Sequence, residues 1–300
     1  MDRRLGSSPG YAYRVVKASA MRFMLPVLPL LLLALLLGLL ALAVLLALDR
    51  RAERLEWARL AALQPQVPPR FTPETVADLP EPARRYFTYT ILPDAPLWRV
   101  TEIEMGGRFS LGTRENPAYR PMEARQILAV PDGFLWAMRT RGGLPISGSD
   151  SGSWTRFRIL GLIPVARLGG DADHTRSAFG RYAGEAVIWS PAALLPGPGI
   201  TWEMVDANTA RVTVQRGELS QAIDVTVDAE GRPVTVSFQR WSDANPEKIH
   251  RLQPFGAEMS DFREVGGYRL PFLVTAGNMF GTEEYFPFFI AEVTEIRFPQ

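Results

Sequence analysis

The sequence predicts a strand-dominated α+β fold. One N-terminal transmembrane helix precedes a curved antiparallel sheet, a half-barrel of ten to twelve strands, covered by short helices. Three observations carry this expectation. A leucine-rich run near the N-terminus holds no charge over 25 residues. Apolar and polar residues then alternate in short runs separated by turn dipeptides. One stretch, His174 to Leu195, switches to helical spacing.

Residues 1–23 form a basic tail with Arg3, Arg4, Arg14, Lys17 and Arg22. Met24 to Leu48 follows without a charge, and 15 of its residues are Leu. At about −0.5 kcal/mol per central Leu, leucine alone favours insertion by roughly 7 kcal/mol. Leu30–Leu48 gives 19 residues, about 28 Å of helix, close to the hydrocarbon thickness of a bilayer. Pro26 and Pro29 fall near the expected helix start, where proline is tolerated. The alternative is a cleaved signal peptide, whose apolar region is usually about 7–15 residues and ends at a small-x-small site. Here Ala41-Leu42-Ala43 runs on into more Val and Leu. Met21-Arg22 would also open a conventional signal-anchor, an alternative start.

Arg50, Arg51, Arg54 and Arg59 follow the run, so the basic residues before it exceed those after it by one. Charge therefore orients the helix weakly, whereas a long domain crosses largely regardless of charge. The expectation is a single-pass inner (plasma) membrane protein. Its tail is cytoplasmic, its C-terminal domain periplasmic or outside, and its partner the lipid bilayer through residues 24–48.

Residues 49–78 read as a juxtamembrane helix and a Pro-rich linker. Trp57 and the arginines suit a headgroup-level anchor, and Gln64-Pro65-Gln66-Val67-Pro68-Pro69 suits a stiff spacer. The globular β-rich domain is expected over 79–300. A helix is predicted at Glu81–Leu92, with Pro82 in its first turn and Tyr86, Phe87, Thr90 and Ile91 on one face. Strands alternate at Val212–Val214, Ile223–Val227, Val234–Phe238 and Ile290–Ile296. Gly106-Gly107, Asp132-Gly133, Gly142-Gly143, Glu230-Gly231 and Gly266-Gly267 punctuate them. Within His174–Leu195, Pro191 and Pro196 predict two short helices with a kink. Strands on both sides of a helical insertion suggest a sheet whose concave face the helices cover.

Composition narrows the chemistry. Net charge is +1, so no overall field favours nucleic acid. Cysteine is absent, which removes disulfides, thiol nucleophiles and Cys-based zinc sites. His174 and His250 are the only imidazoles, which leaves little room for a multi-His metal site. No cofactor or metal is expected. No phosphate loop, dinucleotide fingerprint or basic-aromatic RNA signature occurs.

Several motifs stand in a telling order: Leu79-Pro80-Glu81-Pro82-Ala83-Arg84-Arg85-Tyr86-Phe87, then Gly133-Phe134-Leu135-Trp136, then Arg181-Tyr182 with Glu185, Trp189, Pro191 and Leu194. Trp202-Glu203-Met204-Val205-Asp206 and Gly266-Gly267-Tyr268-Arg269-Leu270-Pro271 complete the set. With them the chain resembles an uncharacterised bacterial domain-of-unknown-function family of membrane-anchored proteins, over about Leu79–Phe298. The resemblance implies no established activity. At fold level it implies likeness to the half-barrels of lipoprotein-carrier (LolA/LolB-like) and lipid-transfer proteins.

Gly148-Ser149-Asp150-Ser151-Gly152 is superficially a nucleophile elbow with Asp at its centre, but its flanks read as strand, and a polar hairpin is the plainer reading. Asp171-Ala172-Asp173-His174 offers metal-ligand atom types without a further ligand at spacing. A solvated loop with Asp173 capping the next helix is the plainer reading. Glu185 shares a helix face with Trp189. If that face meets the sheet, its carboxylate needs a partner, for which Arg84 or Arg85 is the expectation. It is then either a buried acid with a raised pKa or a structural ion pair. Trp98, Trp136, Trp154, Trp202 and Trp241 fall on or beside predicted strands and either fill the core or line an apolar cavity. Phe286-Pro287-Phe288-Phe289 and Leu160-Gly161-Leu162-Ile163-Pro164 are candidates for its mouth or for bilayer contact.

The candidate ligand-binding residues are thus Arg84, Arg85, Tyr86, Trp136, Glu185, Trp189 and Trp202, with none assigned to catalysis. Three functions remain open at this point. One is an envelope protein holding lipid or another apolar ligand. A second is a structural module for an envelope protein partner, and a third is a carboxylate-dependent hydrolase using Glu185 or Asp150.

Overall fold

The computed structural model describes residues 10–299, with side chains from Pro29 onward. The expected basic tail falls outside the described side chains, and its Arg3 and Arg4 outside the described residues altogether. The chain forms two compact units, Met1–Ala52 and Glu53–Gln300.

Helix α1 (Gly10–Ala61) runs through the first unit into the second. From Pro29 it is long and apolar enough to cross a membrane. Leucine faces outward on every side, with Leu30, Leu33 and Leu36 all more than half exposed. A helix apolar all round presents no polar face to water. Because the helix is already formed at Gly10, Pro26 and Pro29 are interior residues, not first-turn residues as the apolar run had suggested.

In the second unit the C-terminal end of α1 is held against the sheet. Trp57 Nε1 donates to Glu102 Oε1 at 2.8 Å, and the Arg125 guanidinium lies 4.9 Å from the Trp57 ring centre. Leu60 is fully buried. Gln64, expected in a spacer, instead accepts from Arg99 N and Val100 N and donates to Val100 O. Phe71 is buried, and its backbone pairs with Asp94 and Ala95. Trp57, Leu60, Gln64 and Phe71 are therefore part of the second unit's packing.

Helix α2 (Glu81–Thr90) begins with Pro82 in its first turn and buries Ala83, Tyr86, Phe87 and Thr90. Thirteen strands follow among the described residues: β1 (Thr101–Ser110), β2 (Tyr119–Ala129), β3 (Gly133–Thr140), β4 (Ile146–Ser151), β5 (Thr155–Ile159) and β6 (Ile163–Leu168), then β7 (Ile200–Met204), β8 (Thr209–Arg216), β9 (Leu219–Val227), β10 (Pro233–Ser242), β11 (Arg251–Val265), β12 (Tyr268–Asn278) and β13 (Phe286–Arg297). Between the two groups lies α3 (Ala172–Trp189), followed by a 3-10 turn at Pro191–Leu194. The expected pair of short helices is thus one 18-residue helix and a turn. Pro191 stops the helix because it follows the last helical residues rather than interrupting them.

All thirteen strands form one curved, unclosed antiparallel sheet, in the order β6-β5-β4-β3-β2-β1-β13-β12-β11-β10-β9-β8-β7. It is two meanders joined where β1 pairs with β13, and a register shift at Glu104/Met105 marks a bulge there. The last strand of the first meander and the first strand of the second are opposite edges of the sheet. The chain between them must cross the whole face, and α3 makes that crossing.

Two small residues set how closely it crosses. Gly180 and Gly184 are one turn apart on α3. A Cβ at Gly180 would stand 2.6 Å from Gln221 Oε1, and one at Gly184 would stand 2.5 Å from Phe238 Cε1. Without side chains there, the helix settles onto β9 and β10.

Candidate functional site

Alternation along each strand decides which side chains face α3. On β10, Val236, Phe238 and Arg240 are successive inward positions. On β12 the inward residues include Val274 and Ala276, and on β3 they include Trp136 and Met138. Together with Phe109, Phe157, Phe255, Phe288 and Phe289 they line, beneath α3, a partly open cavity of ≈ 400 Å³. Helix α3 contributes Arg181, Gly184, Glu185, Ile188 and Trp189 to its wall. The aromatic rings interlock around it: Phe109 and Phe289 pack on Trp136 at 6.4 and 6.0 Å, and Phe255 lies 5.3 Å from Phe238 and 6.2 Å from Phe288.

The cavity has one polar region, in which four wall residues carry charge: Asp150, Arg181, Glu185 and Arg240. Arg181 and Glu185 are one turn apart on α3, and Arg181 Nε donates to Glu185 Oε1 at 2.8 Å. Its Nη1 donates to Asp150 Oδ2 at 2.6 Å. Each carboxylate has a second donor: Gln126 Nε2 bonds Glu185 Oε2 at 2.7 Å, and Thr155 Oγ1 bonds Asp150 Oδ1 at 2.5 Å. Loss of water alone would lower the Arg181 pKa. The charges of Glu185 and Asp150 and their hydrogen bonds outweigh it, and the pKa lies above its ordinary value. The Arg181 guanidinium also lies 4.8 Å from the Phe134 ring centre and 5.0 Å from that of Trp136.

Arg240 is different. Its Nε is sealed from solvent and has no acceptor, and its guanidinium carbon lies 5.1 Å from the centre of the Phe255 ring. Burial, and then the like charge of Arg181, pushes its pKa down to about 10. It is still protonated at neutral pH.

Of the residues singled out in the sequence, Trp136, Glu185 and Trp189 line the cavity. Tyr86 and Trp202 pack together 5.9 Å apart behind α3. There the Tyr86 hydroxyl donates to Val187 O at 2.8 Å, and burial raises its pKa well above normal. Trp202 Nε1 donates to Leu194 O. Arg84 is exposed. Arg85 bonds Glu81, Asp228 O and Ala207 O, so neither arginine is the partner of Glu185. The partner is Arg181, whose four-residue spacing from Glu185 was already visible in the sequence. Arg240 went unnoticed there; the signal was a charged residue in register with Val236 and Phe238.

The other motifs resolve as structure. Asp150 lies within β4 and points inward, so Gly148–Gly152 is not simply a polar hairpin. Asp171, not Asp173, caps α3, accepting from His174 N at 2.7 Å. Asp173 accepts from Trp241 Nε1. His174 Nε2 lies 3.1 Å from Thr155 Oγ1. Trp154 Nε1 donates to Ser149, and Trp98 stacks on Phe298. Phe288 and Phe289 line the cavity, whereas Leu160, Leu162 and Ile163 are exposed at the β5–β6 turn. Among the described residues no group of three or more His, Asp or Glu side chains could hold a metal ion.

Comparison with curated proteins finds no match. Among solved structures, a LolA superfamily protein from Nitrosomonas europaea is similar over 73% of this chain and 92% of that one, with 11% identity and a TM-score of 0.40. A putative outer membrane lipoprotein-sorting protein domain from Vibrio parahaemolyticus is similar over 66% and 85% respectively, with 11% identity and a TM-score of 0.34. A family described as of unknown function matches residues 69–290, and on that match the chain belongs to the DUF6544 family.

Proposed function

We propose that this protein holds an apolar ligand, a lipid or a lipid-like molecule, in the cavity beneath α3, while α1 keeps it at a membrane as a single-pass anchor. The observation that carries this reading is the ≈ 400 Å³ of space bounded by at least seven aromatic rings with polar groups gathered in one region. An apolar cavity of this size falls in the range of small-molecule sites. The hydrolase alternative finds both candidate carboxylates, Asp150 and Glu185, bound to Arg181 and to a second donor. A purely structural module gives the space no use. In a bacterial cell we read that membrane as the inner one, with the domain on the outer side, since a long domain crosses largely regardless of its charge.

The test is uptake of a neutral apolar fluorophore, N-phenyl-1-naphthylamine, by the full chain in mild detergent after its lipids are stripped. Saturable uptake is expected, together with copurified lipid detected by mass spectrometry before stripping. Ala276→Phe, which projects a ring into the cavity, should weaken uptake by about tenfold or more, equivalent to about 1.4 kcal/mol, with its melting temperature little changed. Uptake that is absent, or indifferent to that substitution, would remove the cavity from the function.

A further inference from the structure

Arg240 occupies an inward position that strand register would give to an apolar side chain. Its two inward predecessors on β10 are Val236 and Phe238, and all three border the cavity. A guanidinium carries five N–H donors and no acceptor. Among the described residues no acceptor bonds any of the five. Nε is the one nitrogen of Arg240 that is both sealed from solvent and unbonded, so the terminal nitrogens are the part that opens on the cavity.

The nearby carboxylates do not meet this need. Asp150 and Glu185 hold Arg240 in its charged form from a distance, but their oxygens are engaged by Arg181, Thr155 and Gln126. Trp136 Nε1, on the same cavity wall, is also buried without an acceptor. A partly desolvated cation with no acceptor from the protein draws on whatever opposite charge a ligand supplies.

Resting on the apolar-ligand reading above, we propose that the cavity's ligand is an amphiphile with an anionic head, a carboxylate or a phosphate, which Arg240 receives while the aromatic walls enclose one acyl chain. The volume suits a single chain. At about 30 Å³ per water-sized group, ≈ 400 Å³ holds at least a chain of about a dozen methylenes. The head lies beside Arg240 at the polar region, and the chain runs along Phe238, Phe255, Phe288 and Phe289.

The experiment displaces N-phenyl-1-naphthylamine from the stripped full chain with four twelve-carbon amphiphiles below their micelle concentrations: dodecanoate, dodecyl phosphate, dodecanol and dodecyltrimethylammonium. At least one anion is expected to bind about tenfold or more tighter than dodecanol, with the cation weakest. Whichever anion leads identifies the head. Arg240→Met should abolish that preference while leaving dodecanol binding within about twofold, and Arg240→Lys should keep part of it, since Lys offers the charge without the fork. The melting temperature of Arg240→Met is not expected to fall, because the substitution removes a buried charge that had no acceptor. Equal binding of anion and alcohol by the unaltered chain, or a preference that survives Arg240→Met, would overturn the anionic head and leave the apolar cavity standing. Failure of all four to displace the fluorophore would instead overturn the cavity reading itself.

Discussion

Arg181 shows how one side chain can decide whether a buried polar cluster is tolerable. It lies across two aromatic rings and bonds the carboxylates of both Asp150 and Glu185. Removing it by Arg181→Met strands Asp150 and Glu185 together, and breaking a buried ion pair from one side costs on the order of 3–5 kcal/mol. Glu185→Gln keeps an oxygen for Arg181 and should cost less, on the order of 1–3 kcal/mol. Denaturant unfolding of the full chain in detergent checks the order. Equal costs would mean that Glu185 does more than balance Arg181. The helical spacing of the pair was readable, since residues four apart share a face. Assigning the partner to Arg84 or Arg85 failed because helix α2 packs on the other side of α3 and spends Arg85 on the loops at Ala207 and Asp228.

Among the elements, the edge strands and α3 behave differently from the centre of the sheet. β6 is mostly exposed on both faces, and Ile163, Val165 and Leu168 show large apolar surface. Its Pro164 suits an edge strand, which needs fewer ladder donors. Such a strand has little alternation to read, which is why the count of ten to twelve fell short of thirteen. Local opening should follow this layout. Amide exchange is expected to be fastest in β6 and β7, and slowest in β1, β12 and β13, where both neighbours are paired and side chains are buried. Hydrogen–deuterium exchange with peptide resolution tests it. Comparable protection in β6 and β13 would show that something covers that edge.

The whole molecule depends on one long-range pairing and on what fills the space it creates. Every other strand pair is a sequential neighbour, so β1·β13 alone joins the halves of the sheet. A cavity stabilised by its occupant predicts that ligand removal lowers stability. At about a hundredfold excess over the dissociation constant, a bound ligand contributes about 2.7 kcal/mol. For a domain of roughly this size that is about 5–10 °C in melting temperature. Stripping the lipids should lower the transition by this amount, and adding back dodecanoate should restore it. No change in either direction would mean that the space is empty in the native protein.

Legibility in the sequence followed the range of the interaction. The apolar helix, the turn glycines, the first turn of α2 and the alternating strands all depend on residues within a few positions of one another. Solvation and backbone sterics write such patterns directly into the chain. Helix periodicity also put Glu185 and Trp189 on one face of α3, and both line the cavity wall. It could not show that Arg85 is committed elsewhere, that Gln64 clamps the start of β1, or that Arg240 faces aromatic rings with no acceptor. Those facts depend on which strands become edges and on where the β6–β7 connection must therefore run. That is a property of the closed set of pairings, absent from any single stretch of chain.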